Sequence, residues 1–298
     1  MDSARLRNDD RKPRETTPGT GSHGLLRDLY GLDDRVAVVT GGTGVLGGEM
    51  ARGLARAGAR VAVLGRRAAQ GEGVVAQIAT LGGEAMAVAA DVTDVAQLEK
   101  GRQQVLDRWG RIDVLVNAAG GNLPAATIPD SGTIFDLGLD ALGQVLDLNL
   151  VGTVRASLAF GQAMTQADPP RGAIVNISSM TAQQAVTRVV GYGAAKAAVD
   201  NFTRWLAVEL ARKFGDGIRV NAIAPGFFIG EQNRALLLDA SGQLTDRGRK
   251  IVEHTPAARF GQPHELVSTL LWLCGPGASF VTGIVVPVDG GFSAFSGV

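Results

Sequence analysis

The sequence predicts an α/β fold, a doubly wound parallel sheet of about seven strands in a single domain. Three observations predict it. Short Val-, Ile- or Ala-rich runs recur along the chain, and several are apolar nearly throughout, as strands covered on both faces should be. Helical periods fill the gaps between them. Repeated strand, helix, strand units imply right-handed crossovers and parallel neighbours. Neither an internal repeat nor an interior linker divides the chain.

Residues 1–24 come first and read as a disordered tail, rich in charge, Gly, Pro and Thr, with almost nothing to bury. They hold no apolar signal core, and Asp2, Asp9, Asp10 and Glu15 weigh against a transit peptide. The folded domain is expected over residues 25–298. Its first strand is 35-RVAVVT-40, which runs into the turn 40-TGGTGVLG-47 and a helix where Leu46, Met50 and Leu54 repeat every four residues before Gly58. Gly41, Thr43, Val45 and Leu46 thus stand where a tight turn can approach a pyrophosphate and a helix N-terminus can receive it. Glycine makes up 41 of the 298 residues, so the placement between strand and helix, rather than the cluster itself, carries the reading.

The second strand, 60-RVAVL-64, ends in 63-VLGRRA-68. A dinucleotide fold usually places an acid there to grip ribose hydroxyls. This chain has Gly65 followed by Arg66 and Arg67. An arginine there can bind a 2′-phosphate in bidentate fashion, which favours NADP(H) and leaves NAD(H) possible. The alternative is that both arginines are ordinary surface charges.

Further strands follow at 85-AMAVAA-90, 112-IDVLVNA-118, 173-AIVNIS-178, 218-IRVNAIA-224 and 284-IVVPVD-289. Between the last two, residues 226–262 form an excursion that is expected to act as a lid. In 192–214, Ala195, Val199, Phe202, Leu206 and Leu210 form one helical stripe. Ligands of this architecture, the Rossmann type, bind at the carboxyl ends of the strands, and the polar residues of the chain collect there. Ser178 and Ser179 end the fifth strand, Tyr192 opens the following helix, and Lys196 lies one turn further. Asn149 interrupts an apolar helical stretch. Each has a plain reading as a cap, a water ligand or a surface group. Together they suit carbonyl chemistry. A ketone that accepts hydride needs a proton on its oxygen. A free tyrosine titrates near pH ~10, and a neighbouring ammonium favours the phenolate. Ser179 can hydrogen-bond the carbonyl oxygen.

Composition excludes other classes. Lys plus Arg equals Asp plus Glu, so the counterion-release argument for nucleic acid is missing. No apolar run nears the roughly 20 residues that cross a bilayer. One cysteine and three scattered histidines offer no metal site. A cytoplasmic setting is the expectation.

From about residue 32 onward the chain resembles the short-chain dehydrogenase/reductase family. The matching pieces are 40-TGGTGVLG-47, Asp91-Val92, 117-NAAG-120, 149-NLVG-152, Ser179, 192-YGAAK-196, 225-PG-226 and 289-DGG-291. The resemblance implies that Tyr192 is the general acid/base and that Lys196 holds the nicotinamide ribose while tuning Tyr192. It implies that Ser179 orients the carbonyl and Asn149 helps hold a proton-relay water. Asp91 and Val92 would meet the adenine; Asn117, Ala118, Ala119, Gly120, Pro225, Gly226 and Phe228 would line the cofactor. A homo-oligomer, tetramer or dimer, is expected from relatives and from the apolar ending 284–298.

Residues 119–127, 177–182, 224–266 and 281–298 further resemble the branch of D-mannonate oxidoreductases, or fructuronate reductases. That branch usually has histidine where Leu123 stands. A uronate would need a cation for its carboxylate and partners for its hydroxyls. Asn122, Ser179, Arg188, Gln232 and Arg234 are the expected substrate residues. Another ketone, a 3-oxoacyl thioester or a polyol, is the alternative small-molecule substrate, and a silent cofactor-binding regulator is a third reading.

Overall fold

Each of the seven expected runs forms a strand. They are β1 (Val36–Thr40), β2 (Arg60–Gly65), β3 (Ala85–Ala89), β4 (Val114–Asn117), β5 (Gly172–Ile177), β6 (Ile218–Pro225) and β7 (Val285–Val288). The structure is a computed structural model that describes residues 22–230 and 233–298. The strands make one parallel sheet in the order β3-β2-β1-β4-β5-β6-β7. The order reverses between β1 and β4, which opens a crevice at their carboxyl ends.

Ten helices surround the sheet in the described residues: α1 (Ser22–Tyr30), α2 (Val45–Arg56), α3 (Ala68–Thr80), α4 (Val95–Trp109), α5 (Leu139–Leu146), α6 (Gly152–Thr165), α7 (Val190–Phe214), α8 (Arg234–Leu237), α9 (Asp246–His254) and α10 (Val267–Cys274). Alternation along the strands explains the two layers. Ala37 and Val39 face one core with Met50 and Leu54 of α2, Ile78 of α3 and Leu270 of α10. Val36 and Val38 face the other, with Leu98 of α4, Phe160 of α6 and Leu206 of α7. Strands buried on both faces have no room for a polar side, so their sequences read as continuous apolar runs.

Helix α1 takes in residues 22–24, the end of the segment that the sequence reads as tail; residues 1–21 lie outside the described residues. The expected lid, 226–262, contains α8, α9 and an antiparallel bridge between Leu238 and Leu244. It carries a small core of its own, Leu237, Ile251 and Phe260, with Phe227, Leu244 and Phe292 packed against it.

Candidate active site

The glycine turn leaves β1 and enters α2 at Gly44, whose side has no capping side chain. The first amides of α2 therefore have no intrahelical acceptor and are free to meet an anion. Backbone approach is tight. Gly41 sits at φ 64°, and a Cβ there would stand 2.7 Å from the Ala118 carbonyl. A Cβ on Gly47 would collide with the Gly41 carbonyl oxygen. Thr40 fixes the gap at the strand reversal, because its Oγ1 accepts from Ala118 N at 3.1 Å and Ala119 N at 3.2 Å. A turn with its amides free and its Cβ positions filled by backbone fits a dinucleotide phosphate. Gly41, Thr43, Val45 and Leu46 are the residues that would hold it.

At the end of β2, Gly65 has a packing reason. A Cβ there would lie 2.7 Å from both Oγ1 and Cγ2 of Thr43. The usual acid is thus sterically absent, not merely replaced. Arg66 and Arg67 are exposed beyond it, and Arg66 Nη1 reaches 3.7 Å from Asp91 Oδ2. Asp91 accepts from Thr93 N at 2.9 Å and Thr93 Oγ1 at 2.8 Å, and Val92 is buried beside it.

Two of the expected cofactor side chains turn elsewhere. Asn117 is buried and donates to Ser157 Oγ at 2.9 Å and Asn176 Oδ1 at 2.8 Å, tying β4 to α6 and β5. The crevice wall is left to Ala118, Ala119 and Gly120. Phe228 packs its ring into the core against Gly261, where a Cβ would meet the ring at 2.5 Å. Apolar burial wins over the crevice at that position. Pro225 closes β6, and Gly226 N donates to the Val288 carbonyl at 3.0 Å, with Asp289 so close that a Cβ would not fit.

The four expected catalytic residues converge. A Cβ on Gly120 would lie 2.6 Å from Asn149 Oδ1 and 3.2 Å from Lys196 Nζ, so the two side chains meet over that glycine. Asn149 sits in a single π turn, Asp147–Val151, a widening often found at functional positions. Its Nδ2 donates to the carbonyls of Gly121 and Val145, both at 2.8 Å, and its Oδ1 accepts from Gly121 N at 2.9 Å. Its amide therefore fixes the loop after β4. Lys196 is buried and donates to the Ile177 carbonyl at 2.8 Å, with Nζ 5.5 Å from the Tyr192 ring centre. Ser179 caps the short turn Met180–Ala182, its Oγ accepting from Thr181 N at 3.2 Å. Its hydroxyl stands beside the Tyr192 phenol and draws the phenol's pKa down.

Electrostatics differ from the sequence expectation in one respect. Burial pushes the Tyr192 phenol above its ordinary value, with only the Ser179 hydrogen bond drawing it down. Lys196 does not dominate, because burial costs its own charge and pushes it down to about 8, against the pull of Asp200. Asp200, one turn beyond Lys196 on α7, is buried and its carboxyl is raised by that burial, while Ser178, Arg204 and Lys196 oppose the rise. Sequence reasoning missed Asp200, whose only signal is its i+4 spacing from Lys196.

The expected substrate residues are scattered. Asn122 donates to Thr127 Oγ1 at 2.6 Å, and its buried Oδ1 has no partner among the described residues. Thr181 Oγ1 is likewise buried without one. Arg188 is engaged by Ile128 and Asp130. Arg234 is exposed at the start of α8, and Gln232 lies outside the described residues. Arg247 on α9, which the sequence did not single out, reaches Thr187. Among the described residues no cluster of metal-ligating side chains occurs, and no helix is long and apolar enough to cross a membrane.

Known proteins resemble this chain in sequence and fold. The family described as enoyl-(acyl carrier protein) reductase matches residues 43–293. The uncharacterized oxidoreductase UxuB of Bacillus subtilis (strain 168) is 48% identical over 276 residues, spanning 90% of this chain and 98% of that protein. A solved structure of a candidate D-mannonate oxidoreductase from Haemophilus influenza, with bound NAD, is similar at TM-score 0.83 and 38% identity, covering 92% of this chain and 100% of that one. A gluconate 5-dehydrogenase from Burkholderia cenocepacia J2315, in complex with NADP and tartrate, is similar at TM-score 0.78 and 32% identity, covering 90% and 98%.

Proposed function

The chain belongs to the short-chain dehydrogenase/reductase family of NAD(P)-linked oxidoreductases, and on that premise we propose that it interconverts the ketone and secondary alcohol of a sugar acid, D-fructuronate and D-mannonate being the favoured pair. The observation that carries the substrate is the likeness to the candidate D-mannonate oxidoreductase over 92% of this chain. The orphaned Asn122 Oδ1 and Thr181 Oγ1 support it, since a polyhydroxylated substrate brings the donors and acceptors that such buried atoms need.

A bound nicotinamide would supply or take up the hydride. Tyr192 gives its phenolic proton to the carbonyl oxygen in reduction and takes it back in oxidation. Ser179, beside the phenol, donates to that same oxygen and fixes the direction of approach. Lys196 is placed beside Tyr192 and Gly120, where its ammonium favours the phenolate and can hold ribose hydroxyls. Asn149 locks Gly121 and so keeps the crevice wall in register with α7. Arg66 and Arg67, beyond a β2 end without an acid, favour NADP(H); NAD(H) is the alternative. Residues 226–262 act as the lid. Phe280, Trp205, Val208 and Leu158 are exposed apolar side chains that support a homo-oligomer, dimer or tetramer.

The test is the absorbance of reduced nicotinamide with purified protein and D-fructuronate, using NADPH and NADH in parallel. Rapid oxidation supports the sugar-acid reading, and the faster cofactor decides the preference. No oxidation with either removes the fructuronate assignment.

A further inference from the structure

Three excursions leave the carboxyl ends of neighbouring strands: residues 118–138 after β4, 178–189 after β5 and 226–262 after β6. They meet at one knot of charge. Arg188 donates from Nε to the Ile128 carbonyl at 2.8 Å and from Nη1 to Asp130 at 3.1 Å. Its backbone sits at φ 78°, a left-handed conformation that a side chain adopts only when its surroundings hold it there. Its own carbonyl accepts from Ile128 N at 3.0 Å, which adds that hold. From the third excursion, Arg247 Nη1 reaches Thr187 Oγ1 at 3.3 Å and Nη2 the Thr187 carbonyl at 3.4 Å.

The charges do not balance. Both guanidiniums are half-buried, and the one carboxylate between them, Asp130, has a side chain 86% exposed. Arg247 has only neutral acceptors at long distances, and among the described residues no carboxylate lies within ion-pair reach of it. Burial and the neighbouring Arg188 both disfavour its charge, while Asp130 relieves it only in part. A second anion would remove that cost, and a carboxylate accepts from two forked donors at once.

We propose that Arg247 and Arg188 form an anion clasp that takes the carboxylate of the substrate, so that the charged end of the sugar acid locks α9 onto the 187–188 turn that Arg247 already touches. This rests on the sugar-acid reading above, and it assigns the acid specificity to α9 rather than to Arg234. Arg234 stands exposed on α8.

The test compares D-fructuronate with its methyl ester, which keeps the carbon skeleton and removes the charge. Wild type should prefer the acid. Arg247→Met should lower the acid-to-ester ratio of kcat/KM by about tenfold or more, and Arg247→Lys should recover part of it. Asp130→Asn should do the opposite and lower the KM for the acid several-fold, a gain that misfolding cannot produce. An unchanged ratio in Arg247→Met, or no gain in Asp130→Asn, overturns the clasp. If wild type reduces neither compound, the same comparison is made on the ketone it does reduce, as keto acid and ester. An Arg247-dependent preference for that acid keeps the clasp while the fructuronate reading fails; indifference to charge ends both.

Discussion

Lys196 Nζ donates a 2.8 Å hydrogen bond to the Ile177 carbonyl while standing 5.5 Å from the centre of the Tyr192 ring. The cation of the site is thus anchored to the end of β5 and pays its burial in basicity, falling to about 8. Tyr192 is raised by the same burial. The two groups are both held away from their ordinary ionisation.

Tyr192→Phe removes the proton donor and little else. Turnover should fall by ~10²–10⁴-fold, the usual contribution of a general acid. Fluorescence titration with reduced cofactor should give a Kd within about twofold of wild type, since the phenol ring remains. Retained turnover would assign the proton to another group.

Lys196→Met tests the cost of the buried cation. A folded value near 8, against 10.5 for the free side chain, means that the unfolded chain holds more protons between those pH values. Stability therefore rises with pH across that window, and the full cost of about 3 kcal/mol stands below pH 8. The lost bond to Ile177 offsets part of any gain, at about 1 kcal/mol. Urea unfolding at pH 6.5 should show the variant more stable than wild type, with the gap closing towards pH 10.5. A variant less stable throughout would contradict this.

Asp200→Asn keeps the shape and removes the carboxylate that holds up the Lys196 charge. Lys196 should then lose its proton at lower pH, and the kcat/KM profile should move towards acid. Arg204 and Ser178 also face Asp200, whose Oδ1 has no hydrogen-bond partner among the described residues. An unmoved profile would make Asp200 a packing residue only.

Arg66→Ala should raise the KM for NADPH by about tenfold, the worth of one charge-assisted contact, and leave NADH nearly as it was. Parallel effects on both cofactors would reduce Arg66 to the partner of Asp91.

Lid closure predicts protection. Limited proteolysis should cut within 228–250 in the free protein and more slowly with NADP(H) bound. The segment carries its own small core of Leu237, Ile251 and Phe260.

The central strands were legible because the middle of the sheet is buried on both faces. Each run from Val36–Thr40 to Val285–Val288 stands within two residues of its expected place. The convergence of the candidate catalytic residues was legible for another reason: Tyr192 and Lys196 share a helix face, and Ser179 follows the end of a strand, so local spacing carries their geometry. Arg247 left no such trace. It meets Thr187 across 60 residues of chain, and a basic residue in the first turn of a polar helix reads as a solvated charge. The side-chain directions of Asn117 and Phe228 were not legible either. Their neighbours face the crevice, but bonds to Ser157 and Asn176 and apolar packing on Gly261 turn these two inward.

The contact between Gly65 and Thr43 constrains how this protein could change its cofactor over generations. An acid at 65 would run into the threonine, with its first carbon 2.7 Å from Oγ1. The substitution that would create a ribose grip therefore asks the Thr43 side chain to shift, so positions 43 and 65 change most easily as a pair. The two ends of the phosphate turn are in this sense one unit of inheritance, separate from the substrate end of the crevice.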